Sequence, residues 1–177
     1  VRDWKKPAAV TIPVNLRNYF PSFSSRNFFA IFHVQYDFGK NPDSLEAVLA
    51  SVKRDFQEKL TAEQLKAQMN SLCALEHNFP ARIAPLPLKD IVLRCANRMA
   101  AHAATVSFSN VGKVSMPEGT EKYIRQFGVL TCAGCLQACA VSFGDSFVIT
   151  FASPFRARET ERVFFQELSR LGLDITL

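Results

Sequence analysis

Two stretches near the start of the chain alternate between apolar side chains and others, one residue at a time. In residues 10–17 valine, isoleucine and leucine hold the even positions, and in residues 28–38 the even positions are again apolar or aromatic. A period of two is typical of a strand whose two faces differ. We therefore predict two strands joined by a polar loop. Each turns its apolar face to the core and leaves its second face for another surface.

Helical spacing replaces this alternation after the second strand. Asp43 with Glu46, and Thr61 with Gln64, have the spacing of a capping box and predict two helix starts. A segment with three prolines, residues 78–87, predicts a loop. A further helix follows it, and the stripe that we expect to face inward there consists of Leu88, Ile91, Val92, Cys95 and Met99.

The last third of the chain returns to strands. Residues 105–108 alternate, and residues 109–112 continue them as a strand that runs into a turn. Two β-rich runs, 136–143 and 146–152, flank Gly144-Asp145, which is a signal for a two-residue hairpin.

An amphipathic segment over residues 156–171 predicts the closing helix, with Gly172 just past its end. Residues 173–177 are predicted to add an edge strand. The predicted order is β-β-α-α-α-β-β-β-α-β in a single domain over residues 1–177. This order indicates an α/β (α+β) fold with a mixed, largely antiparallel sheet and helices packed on one face.

Composition and charge exclude several classes of protein. Of the 177 residues 48% are hydrophobic and 16 are Phe, which excludes a disordered chain. The net charge of +5 comes from scattered basic residues, so we expect no nucleic-acid partner. Apolar runs are too short for a membrane span. Because the first residue is Val1, we expect a chain that was processed or cut from a longer protein.

Five cysteines make complete internal pairing impossible. Cys73 and Cys95 fall on apolar helical positions, which predicts buried, reduced thiols and a cytoplasmic location. Cys132, Cys135 and Cys139 have the spacing C-x-x-C-x-x-x-C and are weak candidates for metal ligands. Small residues that fill a loop and a strand explain the same spacing.

Several short motifs, in this order, resemble the C-terminal half of the chloramphenicol acetyltransferase-like superfamily of coenzyme A-dependent acyltransferases. The likeness is greatest to bacterial alcohol acetyltransferase-like proteins and condensation domains. The motifs are V-N-L-R (14–17), R-N-F-F (26–29), P-L-P-L-K-D-I (85–91) and F-S-N-V-G (108–112). A predicted hairpin and a closing helix follow them and complete the pattern.

The resemblance implies a chain that lacks the catalytic residues. Members of the superfamily have two such halves, and the N-terminal half carries the motif His-His-x-x-x-Asp-Gly, which this sequence does not contain. The implied function is therefore a non-catalytic half, inactive alone, that forms one wall of the acyl-donor tunnel. The donor is implied to be a coenzyme A or phosphopantetheine thioester, with no tightly bound cofactor. The implied partner is the N-terminal half.

The resemblance also implies site residues, with no catalytic residue among them. Arg17 corresponds to an arginine that orients the motif aspartate of the other half; alternatively, it is a solvated strand end. The expected tunnel or binding wall consists of Asn15, His33, Gln35, Asp37, Ser107, Ser109, Asn110 and Gly112. Two alternative functions stay open: a standalone binding or assembly domain that self-associates through the exposed sheet face, and a metal-binding domain that uses the three clustered thiols.

Overall fold

The structure is a computed structural model that describes residues 7–131 and 134–176, without the side chains of residues 75, 76, 80, 81 and 100–103. The strands are Ala8–Asn15 (β1), Phe29–Tyr36 (β2), Val106–Lys113 (β3), Leu136–Phe143 (β4) and Ser146–Ala152 (β5). The helices are Leu45–Lys59 (α1), Ala62–His77 (α2), Phe79–Ile83 (α3), Leu86–Ala103 (α4) and Glu159–Arg170 (α5). The strands form a five-stranded mixed sheet in the order β2-β1-β3-β4-β5.

The predicted fold class is confirmed, but the predicted element order is wrong in two places. Four helices, rather than three, lie between β2 and β3. Leu173–Thr176 form no strand, so the expected closing edge strand is absent from the described residues. The chain divides into two compact units, one ending at Val106 and the other beginning at Ser107, and each is described by itself.

In the first unit β1 and β2 form an antiparallel pair in which Val10 lies opposite Val34. The even-numbered residues of β2 are buried and the odd-numbered ones are exposed, as the period of two predicts. The apolar residues of β1 are less well covered than expected: Ala9 is buried, and the side chains from Val10 to Val14 are half-buried.

Helices α1 and α2 cover the buried face of β2. The ring of Phe56 in α1 meets that of Phe32 edge-on, with 5.0 Å between centroids. Leu65 in α2 packs against Ala30 and Leu16, and all three are buried. Each of these two helices therefore contributes an apolar anchor to one side of the strand.

Helix starts are placed partly as predicted. Thr61 caps α2, because its Oγ1 accepts the backbone N–H of Gln64. The cap of α1 is Ser44 rather than Asp43, since the Ser44 hydroxyl accepts the N–H of Ala47. The N-cap of α1 thus lies one residue later in the chain than predicted.

The loop predicted for residues 78–87 is wrong. Helix α3 begins at Phe79 and α4 begins at Leu86, so the prolines lie at helix starts. Proline lacks only an N–H that the first helical turn leaves unpaired in any case, so it opens a helix as readily as it marks a loop.

The inward-facing stripe predicted for α4 is also wrong. Leu88, Ile91, Val92 and Met99 are 51–75% exposed, and Cys95 is exposed as well. Cys73 in α2 is likewise exposed rather than buried. The helical period was identified correctly, but no described element covers this face of α4.

In the second unit the hairpin of β4 and β5 has the predicted bounds and register, with Phe143 opposite Ser146. Helix α5 packs on β5 through an edge-on cluster of three rings, Phe151, Phe164 and Phe165. The strand predicted to run through residues 109–112 into a turn is present as β3, and it continues to Lys113.

Helix α5 ends at Arg170, and Gly172 lies just past its end as predicted, with a φ of +87°. The N–H of Gly172 donates to the carbonyl of Ser169, and the N–H of Leu173 donates to that of Leu168. This pair of bonds is a Schellman motif, which explains why a glycine stands at this position.

Candidate functional site: a polar cleft along strand β2

Three of the predicted wall residues line one cleft of about 610 Å³ in the first unit. His33 and Gln35 come from the exposed side of β2, and Asp37 follows the strand directly. The facing wall belongs to α1 and the turn before it, and its members are Lys40, Asn41, Ser51, Arg54, Asp55 and Lys59. The cleft is thus bounded by a strand on one side and a helix on the other.

The hydrogen-bond pattern between β1 and β2 shows which residues of β2 bond to β1 and which do not. The N–H of Leu16 donates to the carbonyl of Phe28 at 3.1 Å, in the same register as the rest of the pair. Even-numbered residues of β2 therefore bond to β1, because bonded and non-bonded pairs alternate in an antiparallel ladder. His33 is a non-bonded pair with Thr11, and the Thr11 Oγ1 lies 3.2 Å from its Nδ1.

The charges of the cleft are mostly paired. Asp37 pairs with Lys40 at 3.4 Å, and Asp55, whose side chain is only 13% exposed, pairs with Lys59 at 2.9 Å. Arg54 is exposed and makes no ion pair with any described residue. The cleft therefore has one cation more than its internal pairs use.

Arg17 lies in a 3₁₀ turn, Leu16–Asn18, rather than at the end of β1. Its Nη2 donates to the carbonyl oxygens of Ser24 and Arg26 at 2.6 and 2.7 Å, so the side chain ties down the loop between β1 and β2. Its predicted role toward a second half stays a prediction.

Asn15 is the other wall residue of β1, and it lies at the far end of the strand pair, opposite Phe29. Its Oδ1 accepts the N–H of Arg17, which caps the 3₁₀ turn. The structure thus gives Asn15 a local role and does not place it among the residues that line the cleft.

The remaining wall residues belong to β3 in the second unit. Ser107 and Ser109 are half-buried, and the Asn110 Oδ1 accepts the N–H of Gly112 at 2.9 Å. Gly112 has a φ of +82°, which a residue with a Cβ adopts at a cost. Their assignment to a tunnel wall stays a prediction.

The cysteine cluster is only partly described, because Cys132 lies outside the described residues. Cys139 is buried in β4, and its Sγ lies 3.2 Å from the Oγ1 of Thr131. Over residues 7–131 and 134–176 no three His, Cys, Asp or Glu side chains are grouped as metal ligands. The hydroxyl contact gives the buried thiol a structural partner.

Sequence reasoning missed the α1 side of the cleft. Ser51, Asp55 and Lys59 recur every four residues, so they share one flank of α1, next to the side that packs on β2 through Phe56. That period was visible in the sequence, but only the packing of α1 on β2 places this flank opposite His33 and Gln35.

Comparisons with known proteins add no support to the resemblance to acyltransferases, which depends on the sequence motifs alone. No family model, curated protein or solved structure matches this chain. Among the described residues, none of the helices has the length and apolar character needed to span a bilayer.

Proposed function

We propose that this chain is a non-catalytic half of an O-acyltransferase or condensation-like protein. It forms part of the acyl-donor tunnel and requires an N-terminal half that carries His-His-x-x-x-Asp-Gly. In that role His33, Gln35 and Asp37 belong to the wall, and Arg17 orients the motif aspartate. A coenzyme A or phosphopantetheine thioester is the donor in the complete protein.

The exposed stripe of α4 carries this proposal. Four large apolar side chains on one face of a helix, each at least half exposed, are a surface that a partner usually covers. The resemblance names that partner as the missing half. Burying such a stripe contributes about 25 cal/mol for each Å² of apolar surface removed from water.

The coding sequence upstream of Val1 provides the first test. A segment with His-His-x-x-x-Asp-Gly in the same reading frame supports the proposal, and its absence there opposes it. That segment, expressed as a separate chain, should then bind the 177-residue chain in analytical ultracentrifugation. Acetylation of an alcohol from acetyl-coenzyme A should require both chains.

Two variants on opposite sides of α4 sharpen the test. Ile91→Lys places a charge within the stripe and should abolish association, whereas Asn97→Lys adds the same charge on the polar side and should leave association unchanged. Enzymatic acetylation by the 177-residue chain alone would contradict the proposal.

A second candidate function is supported by the same stripe. Two copies of this chain that pair through α4 would cover it without any second half, as in a standalone assembly domain. The sedimentation coefficient of the purified chain should then rise with its concentration, and Ile91→Lys should abolish that rise. This result favours the second function over the first.

A further inference from the structure

The outer edge of β2 carries backbone groups that the pairing with β1 does not use. Ala9 lies opposite Gln35, and both of its backbone groups bond to Thr105 on the side of β1 away from β2: its carbonyl accepts the Thr105 N–H, and its N–H donates to the Thr105 Oγ1. The Gln68 side-chain amide donates to the carbonyl of Ile31 from outside the strand pair. Both observations agree that odd-numbered residues of β2 direct their N–H and C=O groups outward.

The open part of this edge coincides with the cleft. The Gln68 side chain already donates to the outward carbonyl of Ile31, so the first half of this edge of β2 is not open to another strand. In the described part of the chain, the outward N–H and C=O groups of His33 and Gln35 meet no bonding partner. An unpaired edge of this kind is a template for another extended chain.

The charges beside the edge select among extended chains. Lys40 and Lys59 already share their charges with Asp37 and Asp55, whereas Arg54 has no anionic partner in the described chain. A guanidinium binds a carboxylate through two parallel hydrogen bonds, so it complements an acidic segment.

We propose that the outer edge of β2 at His33–Gln35 binds an extended acidic peptide segment, which adds a strand to the sheet and places a carboxylate on Arg54. Backbone bonds to His33 and Gln35 provide affinity, and Arg54 provides the preference for acid. The proposal goes beyond the acyltransferase function and does not depend on it, because it uses neither the α4 stripe nor an acyl donor.

A designed peptide tests the proposal on the full 177-residue chain. The probe is Thr-Val-Thr-Val-Glu-Glu with an uncharged BODIPY dye on its N-terminus, which adds no carboxylate, and its binding is followed by fluorescence anisotropy. We expect saturable binding that weakens as salt is raised, because the ion pair is solvent-exposed. The same peptide with alternate backbone nitrogens methylated, so that it can no longer pair as a strand, should not bind.

Altered peptides locate the carboxylate that Arg54 receives. A C-terminal amide removes the terminal carboxylate, and a Gln-Gln ending removes those of the side chains. Loss of affinity in only one of the two assigns the contact to that source, and loss in both assigns it to both. A peptide with both changes has no carboxylate and should bind about threefold more weakly, the range of one exposed ion pair.

Protein variants locate the two halves of the contact. Arg54→Gln should weaken the acidic probe about threefold and leave the carboxylate-free probe unchanged. Gln35→Pro removes one outward N–H and should weaken both probes about fivefold, the value of one hydrogen bond. Arg94→Gln removes an exposed arginine from α4 and should change neither.

Three results would overturn the proposal. They are no saturable binding up to about 1 mM probe, equal binding of the methylated peptide, and equal affinity for probes with and without carboxylates. None of them bears on the α4 stripe, and a failed association test at Ile91 leaves peptide binding untouched. Circular dichroism of each variant shows whether it is folded, so that weaker peptide binding can be assigned to the altered edge of β2 and not to unfolding.

Discussion

The backbone N–H of Leu16 donates to the carbonyl of Phe28 at 3.1 Å, and this bond shows that the even-numbered residues of β2 are the ones that bond to β1. Val34 is then a bonded residue, and its neighbour Gln35 directs its N–H outward. Val34→Pro should cost about 3 kcal/mol of unfolding free energy, because it removes a ladder bond in a buried residue. Gln35→Pro should cost about 1 kcal/mol or less, since the N–H it removes faces outward.

Urea denaturation followed by circular dichroism measures both values. Each variant is the other's control, because the two prolines differ by one position on the same strand. Equal destabilisation by the two would mean that the alternation of bonded residues is wrong, and with it the open edge.

Leu65 and Leu72 in α2 provide a test of where the core of the first unit lies. Leu65 is 3% exposed against Leu16 and Ala30, whereas Leu72 is 60% exposed. Leu65→Ala should lower the unfolding free energy by about 3 kcal/mol, because it leaves a cavity among packed side chains. Leu72→Ala should change it by about 0.5 kcal/mol or less.

Urea titration of the two variants measures both losses. Similar losses at the two positions would contradict the packing of α2, because they would mean that Leu72 is as well buried as Leu65.

The elements that sequence predicted best are those in which local chemistry decides the structure. The hairpin at Gly144-Asp145 and the end of α5 at Gly172 both depend on a positive φ that glycine adopts freely. Thr61 caps α2 because its hydroxyl reaches an N–H three residues away. Each of these signals is contained within a few neighbouring residues.

Predictions failed where a pattern fits more than one structure. Proline suits a loop and a first helical turn equally, which is why the starts of α3 and α4 were missed. A helical stripe shows which side chains share a face, but not whether anything covers it, as Ile91 at 59% exposure illustrates. Burial depends on which elements meet, and no local pattern contains that information.

The candidate site shows the same division. The alternation along β2 predicted that His33 and Gln35 share a face, and the structure places both in one cleft. Arg54 was not identified, because its place in the site depends on how α1 lies against β2. Residues from one element were therefore predictable as a group, and their partners from another element were not.

Arg17 and Arg26 give a prediction about the loop between β1 and β2. The Arg17 guanidinium donates to two loop carbonyls, one of them that of Arg26, whereas the Arg26 side chain has no such bond. Arg17→Ala should cost about 1 kcal/mol, less than is typical of hydrogen bonds to charged groups, because the site is exposed. It should also speed proteolysis within residues 19–27.

Arg26→Ala is the matched control, since it removes the same charge but keeps the backbone carbonyl. Thermal unfolding and limited digestion with chymotrypsin, which cleaves after Tyr19 and Phe23 and not after arginine, should leave it close to the unmodified chain. If Arg17 served only to orient a residue of another chain, Arg17→Ala would be as stable as Arg26→Ala in isolation.

Gly144 and Gly128 separate the effect of backbone conformation from that of space. A Cβ added at either glycine meets no atom within 4 Å, but only Gly144 has a φ in the left-handed region, at +56°. That value at the first residue of a two-residue hairpin loop suits a type II′ turn, which strongly favours glycine there. Gly144→Ala should therefore cost about 1–2 kcal/mol, whereas Gly128→Ala should be neutral or slightly stabilising. Chemical denaturation measures both, and equal effects would mean that the turn at Gly144 is not the one described.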